Sequence, residues 1–217
     1  MNAVKTPILT DSWISMDWDT FVSQSEDPAL AKAKGYYYQG HGRFEMLPVG
    51  RGHAGDHVMV SNAINLFCIL KAIPIRMFDN CSYHKTGQNE CQPDLSAYLY
   101  AKAKAVAATG GIVDLDKSSA PDLAIEIANT SLLDDLGSKR SLYEELGEEL
   151  GICEYWVVDV KKAKVTAFEM LDQGSQRIKT SQVLPNFEIS VLEEALEQSR
   201  EADQSQVGAW LLQQFQP

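Results

Sequence analysis

Two short segments of this 217-residue chain share a form, QPDL at 92–95 and APDLAIEI at 120–127. In each, a proline opens an extended segment and a carboxylate follows at once, which puts Asp94 and Asp122 at strand starts. Glu126 stands four residues past Asp122, on the same side of that strand and roughly 13 Å along it at about 3.3 Å per residue. A carboxylate inside an otherwise apolar strand costs several kcal/mol unless a cation or a proton compensates it. Two readings of Glu126 are open: an edge position facing solvent or paired with one lysine, or one half of a carboxylate site. If Asp94 and Glu126 meet on neighbouring strands, their repulsion raises at least one pKa unless a divalent cation sits between them. Magnesium is held in this way, by a few carboxylate oxygens with retained waters and a phosphate. Such an ion polarises a phosphoryl oxygen and lowers the pKa of a bound water, which attacks in line. Lys139 opens the helix after the Glu126 strand, from where it can turn back over the strand's end and stabilise developing negative charge.

Other polar residues carry weaker signals. His53 and His57 are four apart at a helix start, a metal-ligand spacing without a third ligand in reach; hydrogen bonding at the helix N-terminus and a place at the site mouth both remain open. GRGHAG at 50–55 could cradle a phosphate with free helix amides or form an ordinary turn. Asp122 reads as turn geometry at a strand start, too far from Glu126 to share one ion. Asp159 reads as structural, and Tyr36, Tyr37 and Tyr38 as core and edge packing rather than base stacking. Cys68, Cys81, Cys91 and Cys153 form no Cys-x-x-Cys pair, so buried free thiols are expected, with a Cys81–Cys91 bridge the alternative.

The elements that must position these residues follow from periodicity. Residues 11–35 predict a polar helical brace ending at Gly35, and 36–39 with 43–48 a hairpin. A long amphipathic helix starts near Ala54 and is closed by Pro74. IPIRMFDN and QPDLSAYLY predict strands, 101–119 a mobile excursion with a short helix at 101–108, and 121–129 a strand covered on both faces. A helix spans the stretch with Leu136, Tyr143 and Leu146, and strands at 154–160, 164–171 and 176–184 make an antiparallel meander. Amphipathic helices follow at 186–217, with Leu192, Leu196, Trp210, Leu211 and Phe215 inward and Glu193, Glu194, Glu197 and Glu201 in water. The result is one α/β domain around a mixed β-sheet flanked by helices, with 1–35 and 186–217 as helical appendages.

With 45% hydrophobic and 23% charged residues the chain reads as a water-soluble globular protein. Its 19 Lys plus Arg against 30 Asp plus Glu give a net charge of -11, so the molecule as a whole repels nucleic acid and anionic membrane, and phosphate chemistry needs a local remedy. No apolar run reaches the length of a membrane helix and the start MNAVKTPILTDSW lacks a signal-peptide layout, so no membrane and a cytoplasmic location are expected.

PDLAIEIAN at 121–129, DDLGSKRSLYEELG at 134–147 and CEYWVVDVKKAKVTAFE at 153–169 together resemble the Uma family of bacterial endonucleases, a branch of the PD-(D/E)XK nuclease superfamily. YYYQGHGRFEMLPVGRGH at 36–53 is similar to that family's opening segment and QPDL to its upstream aspartate strand, so the resemblance runs from about residue 15 to 190. It implies a restriction-endonuclease-like core and cleavage of DNA phosphodiesters with Mg2+ or Mn2+. Asp94 matches the acidic residue of the second core strand and Glu126 the Glu of the third, as metal ligands. The superfamily lysine would fall at position 128, which here is Ala128; members of this branch resemble one another in moving it to the following helix, where Lys139 stands. Glu45 matches a further acidic position. Two other classes fit the same residues: a nuclease-derived binding or regulatory module, and a small phosphate-ester hydrolase. A homodimer or higher homo-oligomer is expected, since a meander leaves an edge to cover and cutting both DNA strands needs two sites.

Overall fold

The computed structural model describes residues 9–46, 50–107 and 110–216. Within them the near-continuous apolar runs LAIEIA and EYWVVD lie side by side as parallel strands buried at every position. The chain begins with β1 (Ile14–Ser15), α1 (Trp18–Ser25), a 3-10 turn at Pro28–Leu30, β2 (Lys34–Tyr38), β3 (His41–Glu45) and α2 (Arg51–Leu70). It continues through β4 (Ile75–Asp79), β5 (Tyr83–Lys85), β6 (Asn89–Cys91), β7 (Leu95–Leu99), α3 (Tyr100–Ala105), β8 (Val113–Asp114) and β9 (Leu123–Ala128). The remainder is α4 (Leu132–Asp135), α5 (Ser138–Leu150), β10 (Glu154–Asp159), β11 (Lys164–Leu171), β12 (Gly174–Ile178), α6 (Ile189–Gln198) and α7 (Gln204–Gln214).

The main sheet has the order β12-β11-β10-β9-β7-β4, antiparallel except for the β9–β10 pair that α4 and α5 connect. This is the expected mixed sheet flanked by helices. A second sheet, β1-β3-β2-β6-β5-β8, was not separable in the sequence. Side chains alternate across a strand, and the two faces of β9 show it. Leu123, Ile125 and Ile127 pack toward α2, α6 and α7 with Trp156, Ile64, Phe67, Leu192 and Leu211. Ala124 and Ala128 pack on the opposite face with Tyr36 of the second sheet and Leu142, Tyr143 and Leu146 of α5. Glu126 shares the parity of Ala124 and Ala128, so it enters the layer between α5 and the second sheet.

Several expected boundaries move. The brace at 11–35 is not one helix: Asp17 caps α1 by accepting from Thr20 N at 2.8 Å, and Pro28 holds Asp27 extended, so the helix stops at Ser25 and Gly35 falls inside β2. Of the expected strand at 43–48, β3 ends at Glu45 and residues 47 and 48 lie outside the described ones. The long helix starts at Arg51 rather than near Ala54. Residues 101–119 hold α3 and β8, with 108 and 109 outside the described residues. The strand expected at 176–184 ends at Ile178, because the Glu154 carboxylate accepts from the Ser181 hydroxyl and from Gln182 N and Val183 N at 2.5 and 3.1 Å and curls the chain around itself. All four cysteines are free, so the alternative Cys81–Cys91 bridge does not form. Among the described residues no helix is long and apolar enough to cross a membrane.

Helix α5, which carries Lys139, sits close to β11 through Gly147: a Cβ there would lie 2.8 Å from Met170 Cβ and 3.1 Å from the Ile152 carbonyl oxygen. Alanine would gain about 1 kcal/mol of helix propensity but would overpack a contact with little room. Gly147→Ala is therefore expected to lower stability by about 1–3 kcal/mol in denaturant unfolding; an unchanged or raised midpoint would show that α5 can shift outward freely.

Candidate active site

Strand β7 pairs with β9 in the register Leu95↔Ile125, and one residue further along the same register Asp94 stands opposite Glu126. The two carboxylates therefore meet at the end of the strand pair, 4% and 2% exposed. The hairpin of β2 and β3 covers them. Its register, Lys34↔Glu45 and Tyr36↔Arg43, puts those four side chains on one side of the ribbon.

Each carboxylate has its own partners. Asp94 Oδ2 accepts from Ile127 N at 2.7 Å, while Oδ1 lies 2.5 Å from Lys34 Nζ and 3.4 Å from His53 Nε2. Glu126 accepts from the Tyr36 hydroxyl at 3.0 Å and the Tyr143 hydroxyl at 3.2 Å. Lys139 Nζ, 1% exposed, reaches back from the first turn of α5 to 3.7 Å from Glu126 Oε2. Its shorter contacts are to Glu45 at 2.9 Å and Asp135 at 2.8 Å, with the Tyr36 ring centroid 4.0 Å away. Arg43 holds Glu45 from the other side at 2.8 Å and Asp134 at 3.2 Å. A cavity of about 310 Å³ opens onto this group, lined by Lys34, Arg43, Glu45, His53, Asp94 and Glu126 among others; Lys139 lies behind its wall.

Burial and charge push these groups apart. Burial raises the Glu126 carboxyl to about 8, with the nearby Asp94 and Asp135 charges adding to the rise and Lys139 only partly opposing it. Burial acts on Asp94 in the same sense, but His53 and Lys34 outweigh it and hold that carboxyl well below the usual range. On Glu45, burial is likewise outweighed by Lys139 and Arg43, which keep it ionised. Burial alone would lower the Lys139 ammonium, yet Glu126, Asp135 and Glu45 raise it. Because Lys139 is held at shorter range by Glu45 and Asp135, it stays charged and Glu126 is the member that takes up a proton.

Two hard oxygen donors facing one cavity, one of them buried without a full countercharge, fit a magnesium-like cation that keeps most of its waters. The residues do not fit a closed protein cage: among the described residues no three His, Cys, Asp or Glu side chains converge on one ion. The arrangement thus brings together the four residues singled out from sequence, Asp94, Glu126, Lys139 and Glu45. It adds Lys34, Tyr36, Arg43, Asp135 and Tyr143, which sequence reasoning missed; the alternation of the expected strand at 43–48, once Glu45 was chosen, could have pointed to Arg43. Asp122 serves elsewhere, accepting from Leu99 N at 2.7 Å with Lys102 at 3.1 Å. Asp159 caps the turn after β10 by accepting from Lys161 N at 3.0 Å. His57 lies 2.9 Å from the Asp94 carbonyl oxygen and 3.2 Å from Asp79, so both histidines act as hydrogen-bond partners around Asp94.

The Uma2 family profile, described as "Putative restriction endonuclease", matches residues 26–205. A crystal structure of "a putative nuclease belonging to DUF820" from Anabaena variabilis is similar in fold, with a TM-score of 0.57 and 18% identity over 83% of this chain and 99% of that one. No curated protein matches.

Two outcomes follow from the charge arrangement. Glu126 holds its proton more tightly folded (about 8) than at its ordinary 4.5, so between those values the folded state binds more protons and stability falls as pH rises. In the presence of chelator, Glu126→Gln is expected to match the wild type in melting temperature near the low end of that window and to exceed it increasingly toward the upper end. A pH-independent difference would contradict the shift. Lys139→Met leaves Glu45 and Asp135 without their shared cation and should cost about 3–5 kcal/mol in chemical unfolding; a loss under about 1 kcal/mol, the scale of an exposed pair, would contradict its buried role.

Proposed function

The chain belongs to the Uma2 family, and from that membership we propose that it is a metal-dependent endonuclease that hydrolyses phosphodiester bonds in DNA. One observation carries the reading: Asp94 and Glu126, opposed in register, face a single cavity, and burial raises the Glu126 carboxyl to about 8 without a full countercharge. A group that expensive to ionise inside a core strand is what a cation site requires. Asp94 and Glu126 would hold Mg2+ or Mn2+, an ion that, when bound, polarises a phosphoryl oxygen and lowers the pKa of a coordinated water.

The remaining roles belong to the chain itself. Lys139 places positive charge behind Glu126 and sets that carboxylate's position, and Glu45, gripped by Lys139 and Arg43, fixes the lysine in turn. The cavity wall carries Asp11, Glu45, Asp94, Glu126 and Asp134 against Lys34 and Arg43, so the local positive charge that an anionic substrate needs on a molecule of net charge -11 would come with the bound ion. Four free cysteines suit a reducing compartment, which supports the cytoplasm as the place of action. Pairing two copies would supply the two centres that cutting both strands demands.

The test is cleavage of plasmid and oligonucleotide DNA in Mg2+ or Mn2+. The wild type is expected to nick and linearise plasmid, and Asp94→Asn and Glu126→Gln each to slow it by roughly a hundredfold or more, the scale of losing one preorganised electrostatic stabiliser. DNA binding without cleavage in all three would identify a binding module instead, and turnover of small phosphate esters alone would identify the third class.

A further inference from the structure

Two lysines stand at this site and they are not equivalent. Lys139 is surrounded by Glu45, Asp135 and Glu126, covered by the Tyr36 ring, and absent from the cavity wall. Lys34 has one carboxylate partner among the described residues, Asp94, and it lines both the 310 Å³ cavity and an adjoining one of about 480 Å³ on the far side of Asp94 and His53. Its ammonium lies 2.5 Å from Asp94 Oδ1, and Oδ2 of the same carboxylate is engaged by Ile127 N. The freely presented oxygen of Asp94 is therefore already occupied by a cation supplied by the protein.

We propose that Lys34 is the resident counter-ion of Asp94, and that a divalent cation binds this site by displacing it. The inference rests on the reading of Asp94 as a cation ligand and adds who holds the site before the ion arrives. A divalent ion at Asp94 Oδ1 and an ammonium at 2.5 Å from the same atom would repel each other at a distance where Coulomb terms amount to kcal/mol. One of them has to leave. The backbone of Lys34 is fixed by its pairing with Glu45 in the hairpin, but its four-carbon stem can move the ammonium away, and two cavities give it room. Lys139, with three carboxylates around it, has no such freedom. The site is thus self-neutralised while empty, and loading the ion couples to release of a lysine onto the cavity wall.

The proposal makes resting stability and ion affinity move in opposite directions, which a purely structural role for Lys34 would not do. Lys34→Met is expected to melt at lower temperature in chelator, because Asp94 is left buried without its partner, yet to bind Mn2+ roughly tenfold or more tightly than the wild type by calorimetry. Lys34→Arg, which keeps the charge, should stay within about twofold of the wild type, and Asp94→Asn should lose the site. A second readout needs no variant: acetylation of Lys34 in the intact chain, followed by mass spectrometry, should become several-fold faster when Mn2+ is added. Equal or weaker Mn2+ binding by folded Lys34→Met, or Lys34 acetylation unchanged by Mn2+, would overturn displacement while leaving the wild-type ion site and the endonuclease reading intact. If neither wild type nor Lys34→Met binds Mn2+, both fall together.

Discussion

The Glu126 carboxylate, set in the middle of an apolar strand and 2% exposed, is the constraint around which this half of the molecule is organised. Its own strand offers no compensation, since its neighbours on that face are Ala124 and Ala128. Everything that addresses it comes from other elements: Tyr36 from the hairpin, Tyr143 and Lys139 from α5, and Asp94 from the end of β7. The Tyr143 hydroxyl, the Tyr36 hydroxyl that also lies 2.8 Å from the Gln92 carbonyl oxygen, and a cation at 3.7 Å do not neutralise it, which is why burial prevails and the carboxyl rises to about 8. A buried polar cluster of this kind is costly where one member is missing, so the hairpin and α5 must be held accurately.

The fold supplies that accuracy through contacts far from the chemistry. Gly147 lets α5 approach β11, and the Tyr143 and Tyr155 rings stack at 4.4 Å between centroids, tying the helix to the strand beside β9. On the other face of the sheet, Asp56 of α2 pairs with Arg200 beyond α6, which also donates to the Val160 carbonyl oxygen at 3.1 Å and joins the C-terminal helices to the end of β10. The whole molecule, of net charge -11, repels polyanions, and the cavity wall is acidic as well, with Lys34 and Arg43 each paired to one of its carboxylates.

The two central carboxylates were legible in the sequence because the proline–aspartate pairs mark strand starts and because an acid inside an apolar run is conspicuous on physical grounds. Lys139 was legible for its place at the head of the next helix. Lys34 was not: it lies 60 residues from Asp94 in sequence, and reading residues 11–35 as a helix put it at a helix end, where its pairing with Glu45 has no meaning. Only the register of the hairpin reveals that partnership. The second sheet escaped for a different reason, since β5, β6 and β8 are two to three residues long and too short to show a period of two. Glu154 shows the same limit at the other end of the molecule, where a buried acid bends the chain after Ile178 by binding its amides, an effect invisible to strand propensity.

In the proposed site Glu126 is neutral until a cation binds it together with Asp94, and ionised from then on. The most direct measurement is the number of protons released on Mn2+ binding, obtained by titration calorimetry in buffers of different ionisation enthalpy at a pH between 4.5 and about 8. Release of a substantial fraction of one proton per ion, abolished along with ion binding in Glu126→Gln, is the result this structure predicts. Binding that releases no proton, or that survives the substitution with the same proton count, would contradict it.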